Sequence, residues 1–90
     1  MEIVHNLIRR GRGVGRYVTH FRLDNGWTFS AAAIGYGYHH LAAWPTNAKW
    51  GEDGTRAGFE HLMFEASQDE LLKHMAEIAA RPVVIAKQEA

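Results

Sequence analysis

Apolar and polar positions along the chain change period near residue 67. Ahead of it, short runs rich in aromatic and β-branched residues sit between turn residues; beyond it, apolar residues recur at helical spacing. At the centre of the first part is GRYVTHFRLDNGWTFSAAAIGYGYHHLAAWP, residues 15–45. Asn25-Gly26 within it predicts a hairpin with a two-residue type I′ turn, in which both residues take positive φ. That turn sets a register. Asp24 faces Trp27, Arg22 faces Phe29 and His20 faces Ala31 on one side; Leu23 faces Thr28, Phe21 faces Ser30 and Thr19 faces Ala32 on the other. The run Ser30-Ala31-Ala32-Ala33 carries no bulk, so a helix is expected to pack closely there.

Other elements follow from the same pattern. Residues 2–9, EIVHNLIR, predict a strand, although Ile3, Val4, Leu7 and Ile8 also suit a helical face. Arg9–Arg16, with glycines at 11, 13 and 15, reads as a flexible connection. Gly35-Tyr36-Gly37 predicts a second reversal or a bulge. Tyr38–Trp44 reads as a strand closed by Pro45, with His39 and His40 on opposite faces. Residues 45–58 form a long loop holding Trp50. Residues 59–65 predict a strand with Phe59, His61, Met63 and Glu65 on one side. Ser67-Gln68-Asp69-Glu70 is a capping box opening a helix over about 67–81, with Leu71, Leu72, Met75, Ile78 and Ala79 as its apolar stripe. Lys73–Glu77 and Glu77–Arg81 are i,i+4 pairs, and Pro82 stops the helix. Val83–Ile85 predicts a short closing strand and Gln88–Ala90 a frayed tail. The fold class expected is α+β: one domain over residues 1–90, an antiparallel sheet of four to six strands around the Asn-Gly hairpin, with the one helix packed on one face.

Composition narrows the function. Ninety residues hold one modest core. No run approaches a membrane span, and the opening residues lack the charge order of a signal peptide. With no cysteine, disulfides, thiol nucleophiles and thiolate metal sites are excluded, which fits a cytoplasmic protein. Net charge is zero but unevenly spread: residues 1–50 hold six Lys/Arg and two Asp/Glu, residues 51–90 four and eight. Either the halves pair inside the fold or they make a bipolar surface that steers a partner.

Chemistry is thin by comparison. The six histidines make no HxH or HExxH spacing, and no metal site or cofactor is expected. His61 and His74 would meet only if the helix packed beside the strand over 59–65. His20 with Asp24, or His40 with Tyr38, could be drawn as an acid–base pair, but nothing separates them from structural histidines, and no catalytic residue is assigned. Arg9, Arg10, Arg12 and Arg16 offer guanidinium forks beside glycine amides, yet the spacing matches no phosphate-loop motif. Tyr36, Trp44 and Trp50 are the apolar candidates, since aromatic residues and arginine dominate interfaces. These seven residues predict a partner-binding surface for a protein or ribonucleoprotein complex. A nucleic-acid reading, with the same arginines on phosphates and neighbouring aromatics on bases, comes second; a small enzyme or histidine–metal protein comes third. Free sheet edges also allow dimerisation.

In size and style the chain resembles the small inhibitors that phages and mobile elements encode against host defence, the anti-CRISPR type: compact, cysteine-free, built from hairpins and one amphipathic helix. The resemblance implies a protein that binds and blocks a larger complex without catalysing a reaction, and it carries over no individual residue.

Overall fold

The computed structural model describes residues 1–10, 14–49 and 57–84, with side chains outside 6–10 and 14–16. Five strands run in sequence, β1 (Glu2–Arg10), β2 (Val14–Arg22), β3 (Trp27–Gly35), β4 (Tyr38–Pro45) and β5 (Glu60–Ala66), followed by α1 (Gln68–Ala79). They form one antiparallel sheet in the order β1-β2-β3-β4-β5. The helix lies across β3, β4 and β5. Residues 2–9 therefore take the extended form. Their β-branched side chains suit the pleated surface, and Ile3, Val4 and His5 gain partners in Phe21, His20 and Thr19.

The core is the layer between helix and sheet. Phe29, Ala31, Leu41, Ala43, Ala66 and Ile78 are buried there, with Phe21, Leu23, Trp27, Leu62, Met63, Leu71 and Met75 packed against them. Ala31 lies in this cluster with Ile78, so the small residues of β3 admit the helix as expected. The helix stripe is narrower than its sequence pattern: Leu71, Met75 and Ile78 face the sheet, while Leu72 and Ala79 are exposed. The capping box forms in full, with Ser67 Oγ accepting from the Glu70 amide and Glu70 accepting from the Ser67 amide. The helix stops at Ala79, two residues short of the expected limit, and Arg81 leaves its axis. Glu77 takes His74 as its ionic neighbour at 3.8 Å; Arg81 pairs with Glu60. Val83 and Val84 are not in a strand; Ile85 and Gln88–Ala90 lie outside the described residues.

The central hairpin differs from the expected one by a single residue. Phe21 pairs with Phe29, His20 with Ser30 and Arg22 with Thr28. Leu23 N–H donates to Trp27 at 2.8 Å and Gly26 N–H to Leu23 at 3.2 Å, leaving a three-residue loop, Asp24-Asn25-Gly26. Only Gly26 has positive φ, at 86°. This is a turn completed by a glycine bulge, the next commonest hairpin solution after the two-residue turns. The shift matches like with like: the Phe21 and Phe29 rings lie 6.1 Å apart on the helix side. The two-residue loop with positive φ at both positions sits instead at Tyr36 (φ 53°) and Gly37 (φ 79°), between paired Gly35 and Tyr38.

Candidate functional site

In an antiparallel meander the turns alternate between two ends. One end holds the turn Asp24–Gly26, the start of β5 and the helix C-terminus. The other holds the Arg10–Val14 end of the first hairpin, the Tyr36-Gly37 turn and the helix start.

The first of these ends is a structural latch. Asn25 is 8% exposed. Its side-chain amide donates to the carbonyls of Ile78 (2.8 Å), Ala79 (3.3 Å) and Arg81 (3.2 Å), and its Oδ1 accepts from Trp27 N–H (3.2 Å). Val84 N–H donates to the Asn25 carbonyl at 2.7 Å. A helix leaves its last carbonyls unpaired, and here no glycine follows to close them locally. Arg81 N–H reaches back to the Ile78 carbonyl at 3.1 Å, and the Asn25 amide, more than fifty positions earlier, bonds that carbonyl together with those of Ala79 and Arg81. This is why Asn25 keeps a negative φ and the predicted turn does not form. Arg81 completes the latch: its guanidinium donates to both Glu60 oxygens, one at 2.9 Å, and its Cζ lies 4.5 Å from the Trp27 ring centroid. Those hydrogen bonds hold the Glu60 carboxyl below the usual carboxylate range. The N-terminal ammonium does the same for Asp24, at 2.8 Å.

The other end gathers the binding candidates. The β1–β2 ladder continues to Arg10↔Val14, while the β2–β3 ladder stops at Val18↔Ala32. Leu7–Arg10 and Val14–Tyr17 therefore pair only with each other among the described residues, as a two-stranded arm. Arg9 and Arg10 lie in β1 opposite Gly15 and Val14, and Arg16 lies in β2 opposite Ile8. The glycines predict a loose connection over Arg9–Arg16; the ladder instead holds Arg10 and Arg16 in strands, and Arg9 lies in the strand expected over residues 2–9. Between Ile3 and Leu23 the chain carries five arginines and no acidic residue. Tyr17 on this hairpin is 53% exposed, with its ring stacked on His5 at 5.2 Å. Tyr36 is fully exposed. The topology thus brings Arg9, Arg10, Arg16 and Tyr36 to one end. Arg12 and Trp50 lie outside the described residues.

Trp44 does not join them. It is 8% exposed, near the latch end, stacked on Phe59 at 5.7 Å and edge-on to His20 at 5.1 Å. It lies on the sheet face away from the helix, in a row that sequence reasoning missed. His40, His61 and Phe64 continue that row, with His61 and Phe64 ring centroids 3.9 Å apart. The register shifts between β4 and β5 put His61 and Phe64 on the same side, against the simple alternation expected for residues 59–65. His61 therefore faces away from His74. Among the described residues no three metal-ligating side chains gather, and no helix is long and apolar enough to cross a membrane.

The fold and these two ends define the chain as an α+β protein, a five-stranded antiparallel meander with one C-terminal helix. No protein-family model, curated protein or solved structure matches it.

Proposed function

We propose that the chain is a binding module that occupies a surface of a larger protein or ribonucleoprotein complex, with the arm end of the sheet as its working end. One observation carries this: Tyr36. A non-glycine residue at φ 53° costs about 1–2 kcal/mol. A fully exposed ring recovers nothing from packing within the chain. Backbone strain under an exposed aromatic is a feature of ligand clamps and contact points. The neighbouring arginines supply charged anchors of the kind interfaces favour. The likeness in size and style to anti-CRISPR inhibitors supports a host-defence complex as the target class.

Affinity capture of the tagged chain from a bacterial lysate, with and without nuclease, tests the reading. A stoichiometric protein partner that survives nuclease and is lost with Tyr36→Asn supports it. Capture unchanged by Tyr36→Asn and by Arg9→Ala/Arg10→Ala overturns it.

A second reading has its own support, the stretch that carries Arg9, Arg10, Arg12 and Arg16 with no acidic residue between Ile3 and Leu23; the fifth arginine there, Arg22, is held by Glu2. A two-stranded ribbon fits the major groove of a duplex, and those four arginines suit a phosphate backbone. Affinity for duplex DNA or RNA would then fall steeply with salt, with a log–log slope near about −0.9 per phosphate neutralised. Affinity flat with salt removes this reading.

A further inference from the structure

The sheet has two edges, and they are built differently. β5 pairs with β4 through two register shifts, and such irregularities blunt an edge against further pairing. β1 pairs with β2 rung for rung over all nine residues, from Glu2↔Arg22 to Arg10↔Val14. It contains no proline, glycine or lysine. No described strand covers its outer edge. A long, regular edge of this kind, with unpaired backbone groups along it, is a template for another strand.

We propose that the strand it takes is β1 of a second copy, running antiparallel about a two-fold axis at Asn6, so that two sheets join into one of ten strands. Two features argue for this occupant. The first is charge complementarity along EIVHNLIRR, which carries its one acidic residue at the start and its arginines at the end. Antiparallel pairing centred on Asn6 sets Glu2 opposite Arg10, Val4 opposite Ile8 and His5 opposite Leu7, with Asn6 opposite its own copy. A parallel arrangement would instead crowd the arginines of both copies at one end. Opposite residues in an antiparallel pair share a face, so this register puts both helices on the same side.

The second feature is an uncovered apolar face beside the edge. On the side where the helix covers only β3–β5, Ile3 and Tyr17 stay 56% and 53% exposed. The joined sheet pools these two uncovered stretches at its centre. This inference shares Arg9 and Arg10 of β1 with the proposed function, but it is read by mass and cross-linking, so it can fail while partner capture holds.

Light scattering on the full chain reads the mass directly. A value near twice 10.1 kDa is expected; a mass that stays at the single-chain value up to hundreds of micromolar overturns the proposal. The absence of cysteine makes the register testable too. Facing residues lie about 4.5–5.5 Å apart between Cα atoms, within disulfide reach. Under mild oxidation Asn6→Cys is expected to cross-link at least tenfold faster than Glu2→Cys, which does not face its own copy. Equal rates overturn the proposed register. Val4→Lys should shift the mass to that of one chain while circular dichroism shows the fold intact; a dimer that persists in Val4→Lys counts against the edge.

Discussion

At the residue scale, Asn25 and Tyr36 have exchanged the parts their neighbours suggest. Asn-Gly usually supplies positive φ at both positions, but the Asn25 amide is held by two helix carbonyls and that of Arg81 just beyond them, and only Gly26 turns. A Cβ on Gly26 would also stand 3.1 Å from Val84 Cβ. Asn25→Asp puts an acceptor where donors are needed, against the negative end of a helix dipole. It should destabilise the fold by about 2–4 kcal/mol at neutral pH. Asn25→Ala should cost about 1–3 kcal/mol. Urea denaturation measures both, and the Asn25→Asp deficit should shrink as pH falls toward about 3.9, because carbonyl neighbours favour the protonated form of the new carboxyl in the fold. Tyr36→Asn relieves strain in a backbone shape that asparagine tolerates. It should raise stability by about 1 kcal/mol, read as a higher urea midpoint, while weakening partner capture. Stability gained with binding lost is the mark of a residue kept for function.

At the element scale, the helix was legible from its first turn. Ser67 and Glu70 cap it as their spacing demands, and Ser67→Ala should cost about 1 kcal/mol in the same denaturation assay. Its far end was not legible, because the cap there is a side chain from the β2–β3 turn and no local residue signals it. The strands were readable from their aromatic and β-branched runs. The register of the central hairpin was not, because the contacts of Asn25 outweighed the turn preference and moved the β2–β3 pairing by one residue. The same limit applies to the binding candidates. Arg9–Arg16 looked like a loop from its glycines, yet Gly15 sits in the ladder opposite Arg9. Trp44 looked displayable from its type, while its stacking on Phe59 depends on a loop whose path no pattern encodes.

At the scale of the whole molecule, the two halves of the sequence keep their described ionic contacts to themselves. Every described ion pair joins groups from the same half of the sequence: Met1 with Asp24, Arg22 with Glu2, His74 with Glu77, Arg81 with Glu60. The halves do not neutralise each other through these pairs, which favours a bipolar surface. Acid should unfold the protein through its held carboxylates. Glu60 is lowered by its hydrogen bonds to Arg81, Glu70 by the Ser67 amide and Asp24 by the N-terminal ammonium. A carboxyl that titrates lower in the folded chain than in the unfolded one lends stability above the unfolded value. That stability is lost as pH falls through the folded value. The urea midpoint should therefore be steady from neutrality down to about pH 5 and decline below about 4.3. Glu60→Gln should flatten the decline.

The reach of Asn25 to the helix end also orders events during synthesis. Each strand pairs with the one made just before it, so the sheet can grow as the chain leaves the ribosome, N-terminus first. The first half of the latch is made early, and its acceptors, the carbonyls of residues 78, 79 and 81, arrive only once the helix has been made. A nascent chain stalled before Ile78 would carry all five described strands and still hold an amide with nothing to bind. Closure of the latch therefore follows the sheet, timed by the emergence of the helix.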